Sequence, residues 1–375
     1  MLKNAFRFIW YDKAKMFGVL AGIIVCVFLI GQQLSIFFAI MRGVRGISKT
    51  NTEYIWVTNK KTLNVQEVYQ MDTRSGQELQ SVEGITSANP IVIASGAAKF
   101  KTGKKVNVIL VGVQSPQFVG LYPTLMPNTN KQLLINDGAV FLDFLELKSY
   151  DTPTLNDYFE INDNRVYFAG QTNGAAGTTE KYVYTTIERA RYLGNVPRNS
   201  VTMYLLTWDS TRYAKQQMIN KINAQIPNVM AWDAENLGFV TITNFLKTSP
   251  IGISFALIVV FAIISGLTIV GLTMFSSVKD RIRDYGTIKA IGGSNALITR
   301  MILEQAIVFA FIGYGIALVM LLGLTSFLMK TKIQAYLPKE LAIALFFTTI
   351  FISIMGSLVA IRKITKLEPV EIFRM

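Results

Sequence analysis

The sequence predicts a membrane protein with four transmembrane α-helices and a large α/β extracytoplasmic domain inserted between the first and the second. Three observations carry this expectation. Four long runs contain no Asp, Glu, Lys or Arg, a polar insert of 208 residues separates the first two runs, and the basic residues outside the insert fall unevenly around the runs.

The uncharged runs are Phe17–Met41, Pro250–Val278, Gln305–Met329 and Leu341–Ile361. About 20 apolar residues cross a bilayer core of roughly 30 Å, and a single charge at the centre of such a helix costs on the order of 3 kcal/mol. The expected order is a cytoplasmic arm over 1–16, a first helix over 17–41, the inserted domain over 42–249 and a second helix over 250–278. A cytoplasmic coupling segment over 279–300 follows, then a third helix over 301–329, an outer loop over 330–340, a fourth helix over 341–361 and a cytoplasmic tail over 362–375. The first run is longer than the h-region of a signal peptide and lacks a small-x-small cleavage site behind it, so it reads as an uncleaved anchor.

Orientation follows from the cations. The arm, the 278–300 segment and the tail hold 13 Lys and Arg, whereas the 330–340 loop holds Lys330, Lys332 and Lys339. Cytoplasmic flanks are enriched in such residues, which places both termini in the cytoplasm. Arg42, Arg45 and Lys49, just beyond the first helix on the other side, are a local violation.

The net charge of +13 is mostly topological. Residues 42–249 hold 21 Lys and Arg against 17 Asp and Glu, so +9 belongs to the helices and their flanks, where anionic membrane lipids are the natural partner. No basic helix or stripe suggests nucleic acid.

The insert reads as mixed α/β. Candidate strands are Glu53–Thr58, Pro90–Ala94, Val106–Val113, Tyr158–Ile161, Arg165–Gly170, Tyr182–Thr185 and Val201–Trp208, rich in β-branched and aromatic residues. Helical patterns at Asp72–Val82, Thr186–Leu193 and Ser210–Ile226 lie among them and favour small βαβ units. The Gly/Thr-rich stretch Gln171–Thr179 reads as a surface loop.

Catalytic residues are not expected in this chain. It has no histidine and its only cysteine, Cys26, lies in the first run, which removes histidine acid-base chemistry, Cys or His metal sites and an intrachain disulfide. The acidic groups Asp157, Glu160, Asp163 and Asp137, Asp143, Glu146 lack a spacing that makes them converge, and read as solvated faces. The segment Gly96–Lys105 has the wrong glycine spacing for a phosphate-binding loop and ends in Lys where Ser or Thr is needed. Any energy source must lie in another chain.

The segment Val278–Arg300 is the most distinctive. Ile282, Tyr285, Ile288 and Ile291 repeat every third residue as an apolar helix edge, with Lys279, Arg283 and Lys289 elsewhere on its surface. Gly292-Gly293 breaks the helix, and Ser294 is placed to cap the next. This elbow is compatible with an ordinary loop held at the headgroups or with a handle gripped by a partner. Gln32 and Gln33 in the first helix, and Glu304 at the edge of the third, are the strongly polar exceptions in the runs, and read as helix-interface residues. Residues 235–247 are expected to extend the second helix outward as one stiff element, with a kink at Pro250.

The run Asp280-Arg-Ile-Arg-Asp-Tyr-Gly286-Thr-Ile-Lys-Ala-Ile-Gly292, followed by Glu304, resembles the hallmark of FtsX/MacB-type (type VII) ABC transporter permeases, as does the tail from Arg362 through Glu368-Pro369 to Phe373. Within that family the likeness is strongest to DevC-type permeases, through Ser249-Pro250-Ile-Gly252, Asp284-Tyr285-Gly286-Thr-Ile-Lys289-Ala290 and Pro369-Val-Glu-Ile-Phe373. Asp284 stands where many members have Glu, and Gly293 where many have another small residue.

The resemblance implies a bacterial cytoplasmic-membrane permease that pairs with a second permease copy. It implies docking to an ABC ATPase dimer, which binds the ATP and Mg, so that no cofactor resides in this chain. The ATPase-coupling residues it implies are Asp280, Arg281, Arg283, Asp284, Tyr285, Gly286, Ile288, Lys289, Ile291, Gly292 and Gly293, with Tyr285, Ile288 and Ile291 as a packed ridge. A periplasmic membrane-fusion adaptor and an outer-membrane channel would complete an exporter of a lipid-like or peptide substrate. Two other branches of the family imply different outcomes: a non-transporting regulator of a cell-wall hydrolase, and a lipoprotein extractor.

Overall fold

A computed structural model describes residues 13–65, 68–175, 181–280, 282–328 and 335–365. These divide into two compact units, Ile40–Ser249 and the remainder.

In chain order, α1 (Lys13–Val44) leads into β1 (Ile55–Asn59), β2 (Met71–Asp72), α2 (Ser75–Gln80), β3 (Ile85–Lys99) and β4 (Lys105–Val113). Then come β5 (Ala139–Asp143), β6 (Tyr158–Ile161), β7 (Asn164–Thr172), β8 (Tyr182–Thr186) and α3 (Ile187–Gly194). After β9 (Ser200–Val201) and β10 (Met203–Trp208), α4 (Lys215–Gln225), β11 (Val229–Trp232) and α5 (Ala234–Thr248) finish the insert. The remaining helices are α6 (Pro250–Asp280), α7 (Ile282–Ala290), α8 (Asn295–Leu328) and α9 (Lys339–Thr365).

The insert is one nine-stranded sheet in the order β11-β1-β10-β3-β4-β8-β5-β7-β6, with a small β2-β9 pair beside it. The expected βαβ units are replaced by a largely antiparallel arrangement, in which, among the described residues, only β4–β8 and β5–β7 run parallel. Short turns explain the difference, because a two- to five-residue link joins only antiparallel neighbours. One turn is Phe100–Lys104, which closes the Gly96–Lys105 stretch as a hairpin rather than a phosphate loop. Another is Asn162-Asp163, both at positive φ, between β6 and β7. The last strand returns to the end of β3 through Ala98↔Ile161 and Lys99↔Glu160, closing six strands into a ring.

Alternate residues enter opposite cores, as a period of two requires. Ile55, Val57, Tyr204 and Leu206 join the cluster covered by α2, α3 and α4, whereas Trp56, Met203 and Leu205 join the one containing Leu237 of α5. Strand β5, absent from the sequence expectation, is buried along its whole length. Such a strand shows no apolar-polar alternation to reveal it.

Among the described residues, four helices are long and apolar enough to cross a membrane, with candidate spans Phe17–Val44, Pro250–Ser276, Asn295–Leu328 and Lys339–Leu358. In this unit α1 touches the other three. Ile23 meets Gly313 of α8, Cys26 meets Gly266 of α6, and Gly31 faces Leu321 of α8 and Leu345 of α9. Helices α6 and α9 cross so closely that a Cβ on Gly356 would lie 3.1 Å from the Gly271 nitrogen. Small residues let backbones approach where lipid offers no hydrophobic drive for association.

One expectation is corrected here. The helix before the second span is not continuous with it: α5 ends at Thr248, Ser249 is extended at φ −98° and ψ 134°, and α6 begins at Pro250. The proline ring disfavours helical geometry in the residue before it and suits the first position of a helix, so Pro250 starts a new helix instead of kinking an old one.

Candidate functional site

The elbow between α6 and α8 is shaped by its own backbone. Helix α7 ends with Gly292 at φ 96°, Gly292 N donates to Lys289 O at 3.0 Å, and Gly293 N donates to Ile288 O at 2.8 Å. These two bonds are the Schellman pattern, which needs a left-handed residue at its centre. Both glycines are required, for different reasons. Gly292 supplies the left-handed conformation, while a Cβ on Gly293 would lie 2.6 Å from Ile288 O. The next helix opens on Ser294, whose Oγ accepts from Leu297 N at 3.2 Å, the capping role its sequence position predicts.

The apolar edge is not one ridge. Tyr285 is 1% exposed and belongs to the helical core with Val278, Ile298 and Ile302, Ile288 is half-buried, and Ile291 is 81% exposed. A step of three residues falls about 60° short of a full turn, so three steps carry the series to the opposite side of the helix. The outward surface is Arg283, Asp284, Thr287, Ala290 and Ile291, while Gly286 is buried and Lys289 and Gly293 are half-buried. Arg281 and the side chains of Asp280 and Ile282 lie outside the described residues.

Residues 242–369 match the family model described as FtsX-like permease C-terminal, and the elbow lies inside that match. That stretch of the chain is similar to the C-terminal part of FtsX-like permeases. No curated protein matches the sequence. Among solved structures, the periplasmic region of MacB from Actinobacillus actinomycetemcomitans is 13% identical with a TM-score of 0.38, covering 56% of this chain and 96% of that one. The extracellular domain of the noncanonic ABC-type transporter YknZ from Gram-positive bacteria is 11% identical with a TM-score of 0.34, covering 48% and 99% respectively. With TM-scores below 0.5, neither likeness decides the fold or the substrate of this chain.

The three expected helix-interface residues take different places. Gln32 and Gln33 are half-buried on α1. Glu304 accepts from Arg300 Nε of its own helix at 3.0 Å, an i,i+4 pair with Glu304 21% exposed. The more deeply held residue is its neighbour Gln305, 6% exposed, whose Nε2 has no hydrogen-bond partner among the described residues. Its signal was in the sequence: Ile298, Ile302, Gln305 and Phe309 follow the alternating four- and three-residue spacing of an inward stripe, and all are buried.

The acidic groups of the insert do not converge. Asp157 pairs with Lys101 at 2.7 Å, Glu160 with Lys99 at 3.5 Å and Asp137 with Arg189. Asp143 departs from the solvated-face expectation, being fully buried. Its carboxylate accepts from Thr172 Oγ1 at 2.9 Å, Ala175 N at 2.7 Å and Leu145 N at 3.0 Å. Burial pushes its pKa above the usual carboxylate value, opposed by those hydrogen bonds and by Lys49. The start of the Gly/Thr-rich stretch is thereby pinned at Ala175, and residues 176–180 lie outside the described residues.

The charge violation beyond the first helix also has a structural explanation. Lys49 is half-buried with Nζ 3.4 Å from Gly174 O, and burial foremost, with Arg42 beside it, lowers its pKa. Arg45 Nε is buried against α5. These two cations are built into the insert rather than presented at its surface.

Proposed function

We propose that the chain is the membrane subunit of an ABC transporter of the MacB/DevC type, which transmits ATP-driven motion of a separate ATPase dimer to the insert. In this reading the termini and the elbow are cytoplasmic, the insert lies outside the cytoplasmic membrane of a bacterium, and two permease copies act together. By the DevC resemblance, the cargo is a lipid-like or peptide molecule handed to a membrane-fusion adaptor and an outer-membrane channel.

The observation that carries the proposal is the elbow within the FtsX-like domain. It is a short helix held by capping bonds between two candidate spans, turning two charges and an apolar knob outward. A self-capped element of this kind can be gripped without unfolding, and a stiff handle transmits displacement. The contact surface is Arg283, Asp284, Thr287 and Ile291, whereas Tyr285 anchors the elbow to the helices behind it.

The test is co-purification with a co-expressed ABC ATPase subunit. Ile291→Glu and Arg283→Glu should remove the ATPase while leaving membrane insertion and thermal stability unchanged. ATPase recovery equal to wild type in both variants would sink the docking assignment.

A further inference from the structure

We infer that Lys215 is the positioning residue of a joint that binds the first and last segments of the insert into one body. The segment following α1 turns sharply at Gly46, where φ is 55° and a Cβ would strike the Tyr182 hydroxyl at 2.5 Å. It runs through a short 3-10 helix, Gly46–Lys49, towards β1, and the chain leaves the insert through α5. These two segments are far apart in sequence and meet at the base of the same core, where Ile47 and Leu237 are both buried.

Lys215, at the start of α4, belongs to neither segment and holds both. Its Nζ donates to Thr52 O at 2.7 Å in the leading segment and to the Asp233 carboxylate, which caps α5 by accepting from Glu235 N at 3.1 Å. Burial works against ionisation of Asp233, yet the Lys215 hydrogen bond and the backbone donors hold its pKa below the usual value. Further along α5, Thr241 Oγ1 accepts from Val65 N at 3.3 Å and donates to Leu237 O at 2.8 Å. Between these ties Gly238 admits the Arg45 guanidinium, since a Cβ there would lie 2.6 Å from Arg45 Nε.

Two ties to the leading segment, through Lys215 and at Arg45, and a third to Val65 just beyond β1 leave α5 little freedom against the start of the insert. The break at Ser249 makes this matter, because a helix interrupted before the span cannot carry displacement as a single rod. In the proposed transporter, motion of either adjoining span would reach the sheet through the joint. That consequence rests on the proposed function; the joint itself does not.

The experiment uses the full-length permease in nanodiscs, on a Cys26→Ser background, with spin labels at the exposed positions Glu53 and Lys247. The joint predicts a single narrow distance distribution, broadened by Lys215→Met. Asp233→Asn, which keeps a capping side chain but loses the charge, should broaden it equally, and the double variant no further. Amide exchange over Ala234–Thr248 should rise about tenfold in each. Unchanged distances and exchange in both single variants, or fully additive effects, overturn the joint. Gly238→Val supplies an independent route: exchange at wild-type rates over α5 would count against it as well. If the variants loosen the joint while ATPase stimulation and export persist, the joint stands and transmission through it fails.

Discussion

Replacing Gly293 by alanine should open the elbow without unfolding the helices around it. The added Cβ would lie 2.5 Å from Ile288 Cγ2 and 2.6 Å from Ile288 O. A side-chain rotation relieves the first contact, but the second is with backbone and yields only if α7 and the turn separate. Separation breaks the 2.8 Å bond from Gly293 N to Ile288 O. A net loss of about 1 kcal/mol for such a bond, plus a similar cost for the shift, corresponds to roughly tenfold or more in the local opening equilibrium. Gly292→Ala is the internal comparison. It meets nothing within 4 Å but must keep a φ of 96°, at about 1–2 kcal/mol. Hydrogen exchange on the full-length chain, followed at Ile291, Gly292 and residue 293, reads both. Gly293→Ala should lose protection at position 293 at least as strongly as Gly292→Ala, with α8 unaffected beyond its first turn. Wild-type protection in Gly293→Ala would refute it, since the clash would then have been absorbed without moving backbone.

Four other outcomes follow. Tyr285→Ala removes a buried ring from the helical core and should lower thermal stability by a few kcal/mol, whereas Ile291→Ala, at an exposed position, should leave the melting temperature within error. Gln305→Leu replaces a buried amide that has an unmet donor, so calorimetry should show equal or greater stability; a clear loss would mean the amide is partnered in the membrane. Asp143 has a folded pKa above its unfolded value, so the native state binds the extra proton and its contribution is lost as pH rises from the unfolded value through the folded one. Denaturation followed across that window should show the stability of the wild type relative to Asp143→Asn falling as pH rises, the difference removing the opposite trend of carboxylates with lowered pKa such as Asp233. Pro250→Ala lifts the restriction on Ser249, and exchange at residues 249–252 should slow as Thr248–Ile251 becomes helical.

Much of the membrane unit was legible because its signals are local in sequence. An uncharged run is a statement about transfer free energy that no neighbour has to supply, and the glycine pair and Ser294 work through bonds to residues within five positions. The elbow's surface was less legible. The three-residue series marks a helix here, but it places Tyr285 and Ile291 on one side, whereas a drift of about 60° per step turns Ile291 away from the buried Tyr285. Glu304 stands out in the sequence as a charge, yet the inward stripe runs through its neighbour Gln305.

In the insert the balance reverses. Seven strand positions were visible from β-branched and aromatic runs, but β5 carries no alternation, and the ring closure between β3 and β6 joins residues about 60 apart. Asp143 looked like one more surface carboxylate; only the approach of Thr172 and Ala175 buries it.

The sequence by itself determined that four segments cross a membrane, that a large mixed domain separates the first two, and that a capped, glycine-broken elbow lies between the second and third. Those properties follow from hydrophobicity and from backbone preferences over a few residues. Tertiary structure alone decided which face of the elbow is outward, how the sheet closes, and that Lys215 holds together two segments more than 150 residues apart. Each of these depends on which distant side chains share a core, and no local preference encodes that.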